Sequence, residues 1–177
     1  MAEFSREFRI DTIGGAPRGV TIDANGSERA ALAARFRLEA IHALAAEAVL
    51  TRDGETVVAK GRVTASVVQS CVATSEPVPE DVAEDFAIEF RPHVRADSGE
   101  EEIELSEGEL DVVFYDGAAV DLGEAVAETV SLALNPFPRS AKADEALREA
   151  GVKSEEEAKA EASPFAGLAV LKGKSEG

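Results

Sequence analysis

The stretch SCVATSEPVPEDVAEDFAIEFRP, residues 70–92, holds the only cysteine of the 177-residue chain, Cys71, and follows it with Glu76, Glu80, Asp81, Glu84, Asp85 and Glu89 but no lysine. A cysteine acts as nucleophile or metal ligand through its thiolate, which cationic neighbours favour. Carboxylates do the opposite. Cys71 therefore reads as a small buried apolar residue ending a strand, with a redox or binding role as the alternative. A lone cysteine forms neither an internal disulfide nor a thiolate cluster, which removes disulfide scaffolds and zinc fingers. His42 and His93 are the only histidines, and neither has a second metal-type residue at ligand spacing. GGAPRGVT, residues 14–21, has the glycine spacing of a phosphate loop, but Val20 stands where the phosphate-gripping lysine belongs. Carboxylates are too dense along the chain to single out one acid and one base. The expectation is a protein that works by binding: not an enzyme, with no metal, no cofactor and no small-molecule substrate.

The elements that must position these residues follow from periodicity. Phe4, Phe8 and Ile10 suggest an opening strand that stops at the glycine turn of residues 14–19. Ser27 is a candidate N-cap for a helix in which Leu32 and Phe36 lie one turn apart. Residues 40–50 suit helix by their alanines and strand by the Asp53-Gly54 turn beyond them; strand is preferred, for about 43–51. Val57, Ala59, Val63, Ala65 and Val67 then alternate with polar residues, the period-two signature of a strand with one wet face. Pro77 and Pro79 read as a stiff corner, leaving Glu80, Asp81, Glu84 and Asp85 as a negative edge beside a strand carrying Phe86, Ile88 and Phe90 and ended by Pro92. Residues 95–109 are acidic enough to be a solvated loop, disordered at its tip, before a further strand in ELDVVFYDG. Asp121 caps a helix with Glu124 at its third position and Leu122, Val126, Val130 and Leu134 along one face, stopped by NPFP. Beyond it, helix-prone segments carry few large side chains, Gly151 suits a C-terminal cap, and SPFAGLAVLKGK closes the chain with Phe165 and Leu168 on one helical face. The expected fold is α+β: a mainly antiparallel sheet packed by two main helices over residues 1–138, then a helix-prone, loosely docked arm over 139–177.

The net charge of −17 is unevenly spread. Residues 1–70 hold nine Lys and Arg against nine Asp and Glu, residues 71–135 two against eighteen, and residues 136–177 seven against eight. Exposed charges act over a screening length of roughly 8 Å, so each surface works by its own charge. The acidic third, with Glu80, Asp81, Glu84, Asp85, Glu100, Glu101 and Glu102, suits a basic partner. In the neutral third, Arg29, Arg35, Arg37, Lys60 and Arg62 form an RNA contact if they converge and are scattered solvated cations if they do not. Phe165 and Leu168 could likewise dock on another molecule or on the chain's own sheet. No apolar run is long enough for a bilayer and the first residues lack the apolar region of a secretory signal, so the expected location is cytoplasmic, without a membrane partner.

Three ordered stretches, VTASVVQSCVATSEPV (63–78), AVDLGEAVAETVSLALNPFP (119–138) and SPFAGLAVLKGK (163–174), resemble the large ribosomal RNA subunit accumulation protein family, the YceD-like proteins. The family's central motif places a cysteine before a Glu-Pro-Val corner, matched here by Cys71 and by Glu76, Pro77 and Val78. Where many members carry an arginine and a second cysteine, this chain has Ala73 and Thr74, so the resemblance implies no cysteine pair and no metal. It implies a part in the accumulation, processing or stability of 23S ribosomal RNA, with a ribosomal protein, a pre-ribosomal particle or the RNA itself as partner. A generic acidic adaptor or chaperone for basic proteins, unconnected with ribosomal RNA, is the alternative.

Overall fold

The computed structural model describes residues 3–93 and 111–153. In chain order the elements are β1 (Glu7–Arg9), a 3-10 turn (Ile10–Thr12), β2 (Arg18–Asp23), α1 (Gly26–Phe36), β3 (Ala40–Asp53), β4 (Thr56–Ser70), β5 (Pro77–Pro92), β6 (Asp111–Tyr115), β7 (Ala119–Asp121), α2 (Leu122–Ala133) and α3 (Ala143–Glu149). Five strands form one sheet in the order β2-β3-β4-β5-β6, while β1 and β7 pair separately. The fold is α+β and the large sheet mostly antiparallel, with β6 parallel to β5 as the exception.

Alternation along the two longest hairpin strands sets the layers. Val57, Ala59, Val63, Ala65 and Val67 of β4 are all buried, as are Phe86, Ile88 and Phe90 of β5, and they share one core with Leu32 of α1 and Leu122, Val126 and Val130 of α2. The helices thus cover the odd-numbered face of β4, while Lys60, Arg62 and Thr64 point from the opposite, open face. Gly61 sits in the tightest part of the sheet: a Cβ there would run into the Glu47 carbonyl oxygen and the Phe86 ring. β3 and β4 join through a two-residue turn with Gly54 at φ +59, a left-handed conformation that glycine adopts freely.

Several expectations change. Strand β3 starts at Ala40 and continues to Asp53, because its alanines lie in the covered sheet; a shift in register between Ile41 and Ala43 absorbs His42. The opening strand shrinks to β1. The cap of α1 is Asn25 and not Ser27: the Asn25 side chain accepts from the Ser27 and Glu28 N–H groups while Glu28 accepts from the Asn25 N–H. Asp121 caps α2 as expected, accepting from Gly123 at 3.0 Å and Glu124 at 3.2 Å. Pro77 and Pro79 belong to β5 rather than to a corner. The third helix, α3, falls in the expected helix-prone arm, but the segment entering it is tied down: Ala143 is buried, and Pro138, Ser140 and Lys142 bond to the turn that follows β4. Gly151, at φ +79, ends α3 as a C-terminal cap, with Gly151 and Val152 N–H groups donating back to Arg148 and Leu147.

Candidate functional site

The end of β4 turns into β5 through Cys71–Glu76, and the turn closes on itself. Cys71 N–H donates to the Glu76 carbonyl at 2.8 Å and Ser75 N–H to the Cys71 carbonyl at 2.9 Å, with Ser75 at φ +58. A distant segment then grips the corner. Val72 N–H donates to the Pro138 carbonyl at 3.0 Å, Ser140 N–H donates to Cys71 Sγ at 3.2 Å, and the Thr74 and Ser140 hydroxyls lie 3.1 Å apart. Lys142 Nζ completes the clasp on Glu76 Oε1 at 2.8 Å, which lowers the Glu76 pKa and raises that of Lys142.

Cys71 is 3% exposed, as a small buried residue should be, but its sulfur is an acceptor in a polar net. The Thr74 hydroxyl first, and then the Ser140 N–H, hold its pKa down to about 6 against the effect of burial. Neutral donors do here what cationic neighbours do elsewhere, so the acidic sequence around Cys71 is a poor guide to its ionisation. Neither His42 nor His93 is among its hydrogen-bond partners; the His93 ring instead lies tilted against Phe114, with centroids 5.5 Å apart.

One step along the sheet a second net ties the same two regions. Gln69, 9% exposed, donates to Glu80 at 2.5 Å and to the Asn135 carbonyl at 3.0 Å, and Asn135 N–H donates to Glu80 Oε1 at 3.1 Å. Glu80 is therefore half-buried and bonded, not part of a wet edge. Of the other acids on β5, Asp85 pairs with Arg62 at 2.9 Å across the open face, while Asp81 and Glu84 are exposed with no ion pair or hydrogen bond among the described residues. Glu100, Glu101, Glu102, Phe165 and Leu168 lie outside the described residues.

The cations do not converge. Arg29 donates to the Ala24 carbonyl, and Arg35 bridges Glu3 and Glu124 at 3.0 and 2.7 Å, which pushes its pKa up. Arg37 forms the left-handed end of α1 at φ 57. These three belong to α1, on the covered side of the sheet, whereas Lys60 and Arg62 stand on the open side. Val72, Pro138, Ser140, Lys142, Gln69 and Asn135 escape a sequence reading altogether, because nothing local links residue 71 to a residue sixty-nine positions on.

The family model for "Large ribosomal RNA subunit accumulation protein YceD" matches residues 59–172, a span that includes the corner, β5, α2 and the clasping segment. No curated protein and no solved structure matches the chain.

Proposed function

Because the chain belongs to the YceD family of large ribosomal RNA subunit accumulation proteins, we propose that it is a non-enzymatic factor in large-subunit biogenesis that supports the accumulation, processing or stability of 23S ribosomal RNA by binding. The family match over residues 59–172 carries this reading. A binding role is supported by the burial of Cys71, which is 3% exposed with its sulfur bonded to the Ser140 N–H, leaving a substrate no open approach to it.

The direct contact is a basic protein of the pre-ribosomal particle. Unpaired Asp81 and Glu84 favour such a partner and repel nucleic acid, and charge complementarity of this kind raises encounter rates. Separation of the α1 arginines from Lys60 and Arg62 weighs in the same direction, since no face gathers them against phosphate. The site of action is the cytoplasm, where large-subunit RNA is assembled with its proteins; among the described residues no helix is long and apolar enough to cross a membrane.

Depletion of the protein in its own cells should lower the ratio of 23S to 16S ribosomal RNA and leave 23S precursors behind, restored by the intact gene. An unchanged ratio sinks the proposal. Crosslinking in native lysate separates it from a generic adaptor: large-subunit proteins with 23S precursors are expected, and a broad set of basic proteins without them favours the adaptor. Direct RNA binding through n phosphates would weaken with salt at a slope of roughly −0.7n to −0.9n. A near-flat response is expected.

A further inference from the structure

Strand β5 has two neighbours along only part of its length. It pairs with β4 from Pro77 to Phe90, but β6 joins it only from Ile88 to Pro92. Residues 77–87 therefore have one side that no strand among the described residues covers. Which backbone groups face that side can be worked out. The Val68 carbonyl accepts from the Glu39 N–H, on the β3 side of β4, so Val68 turns its backbone away from its partner Pro79. Pro79 accordingly faces the open edge, where a missing N–H costs no ladder bond. Alternation gives the same orientation to Pro77, Asp81, Ala83, Asp85 and Ala87. The N–H and C=O groups of the last four have no strand partner among the described residues.

The side chains flanking this edge have a definite character. Asp81 and Glu84 are unpartnered among the described residues, and Asp85 shares one cation, Arg62. On the helix side a cleft of about 260 Å³ lies between the edge and the last turn of α2, lined by Glu84, Phe86, Asp111, Thr129, Leu132 and Ala133. Leu132 is 86% exposed there, an apolar side chain without a partner. The cleft lies where β6 would run if it extended beyond Asp111.

We propose that the edge of β5 from Asp81 to Ala87 takes up an extended, Lys- and Arg-rich peptide segment of a basic protein as an added strand. Main-chain bonds to these four residues give the affinity, one apolar side chain of the peptide fills the cleft against Phe86 and Leu132, and its cations, on the opposite face, meet Asp81 and Asp85. A second copy of this chain fits poorly, because pairing two such edges brings like carboxylates together. RNA is disfavoured by the same charges. The assignment rests on the reading that the direct partner is a basic protein.

The test titrates the full chain with a labelled nonapeptide of alternating Lys and Val, followed by fluorescence anisotropy and by amide hydrogen exchange. Binding is expected, with new protection at Asp81, Ala83, Asp85 and Ala87. Methylating the peptide's edge-facing amide nitrogens should weaken binding by about tenfold, the equivalent of one or two lost hydrogen bonds. Ala83→Pro should do the same, and it is expected to fold because residue 83, like Pro79, turns its N–H outward. If that variant fails to fold, the methylated peptide against the unaltered protein decides. Equal binding of methylated and plain peptide overturns strand addition while leaving the basic-partner reading intact. Direct binding of labelled single-stranded RNA that Ala83→Pro weakens, or a dimer that the variant abolishes, overturns the proposal as well. No binding of the peptide even at low salt overturns the proposal too, and the crosslinking experiment then judges the partner separately.

Discussion

The two connections that β4 makes differ in kind. At its start, the turn from β3 needs one glycine in a left-handed conformation and spans two residues, with a single distant bond, from the Tyr115 hydroxyl to the Glu55 carbonyl at 2.6 Å. At its end, the turn to β5 runs through Cys71–Glu76 and draws its bonds from Asn135, Pro138, Ser140 and Lys142, more than sixty residues away. Both join long antiparallel strands. Only the second ties the sheet to the segment between α2 and α3, so damage there should spread while damage at the first should stay local. The family match includes the second connection and begins, at residue 59, after the first.

Gln69→Leu should break this difference most severely. It leaves the Asn135 carbonyl without its donor and the half-buried Glu80 carboxylate with the Asn135 N–H alone, a loss of about 1–3 kcal/mol in urea unfolding. Trypsin should then cut faster after Arg139 and Lys142, since the clasping segment loosens with the corner. Gly54→Ala is the counterpart: forcing a Cβ into the left-handed turn costs about 1 kcal/mol, with trypsin cleavage after Arg139 and Lys142 unchanged. Equal proteolysis of the two variants would erase the distinction between the connections.

The subtlest probe is ionisation. With a single cysteine, thiolate absorbance reports one group, and its midpoint should fall at about 6, below the ordinary 9.0. Thr74→Val should move it up, because the Thr74 hydroxyl is the largest cause of the shift. A folded pKa below the unfolded one means that the corner favours the thiolate. Its contribution to stability is complete above pH 9 and fades as pH falls through 6. Melting curves of the unaltered protein should therefore gain stability from pH 6 to pH 9 relative to Cys71→Ser. A midpoint near 9 would remove the polar net from the account of this corner.

Sequence periodicity made the central sheet legible. Val57, Ala59, Val63, Ala65 and Val67 are buried as their spacing requires, and so are Phe86, Ile88 and Phe90, because a strand with one covered face leaves no other arrangement. Asp121 was legible as a cap for the same local reason. Asn25 was missed: it forms a capping box with Glu28 three positions later, but Ser27 lies just before the helical run and took the role in the sequence reading. What stayed hidden is long-range. Glu80 looked solvated because the sequence does not say that Gln69 and Asn135 meet it, and Cys71 looked surrounded by acids because its donors come from a neighbour three residues on and from Ser140. The parallel setting of β6 left one trace: the long stretch between Pro92 and Asp111 suits a crossover better than a hairpin.

That parallel setting has a consequence for how the molecule is made. Strands β2 to β5 pair each with the next and are all synthesised by residue 92, whereas β6 must cross back before it can pair. Closing a longer loop is entropically slower, so the nascent chain holds a four-stranded meander with the entire flank of β5 bare until residues 111–115 arrive. During that interval the prolines and carboxylates spaced along β5 keep neighbouring nascent copies from zipping onto it, a protection that residues 88–92 outgrow once β6 pairs with them and that residues 77–87 retain.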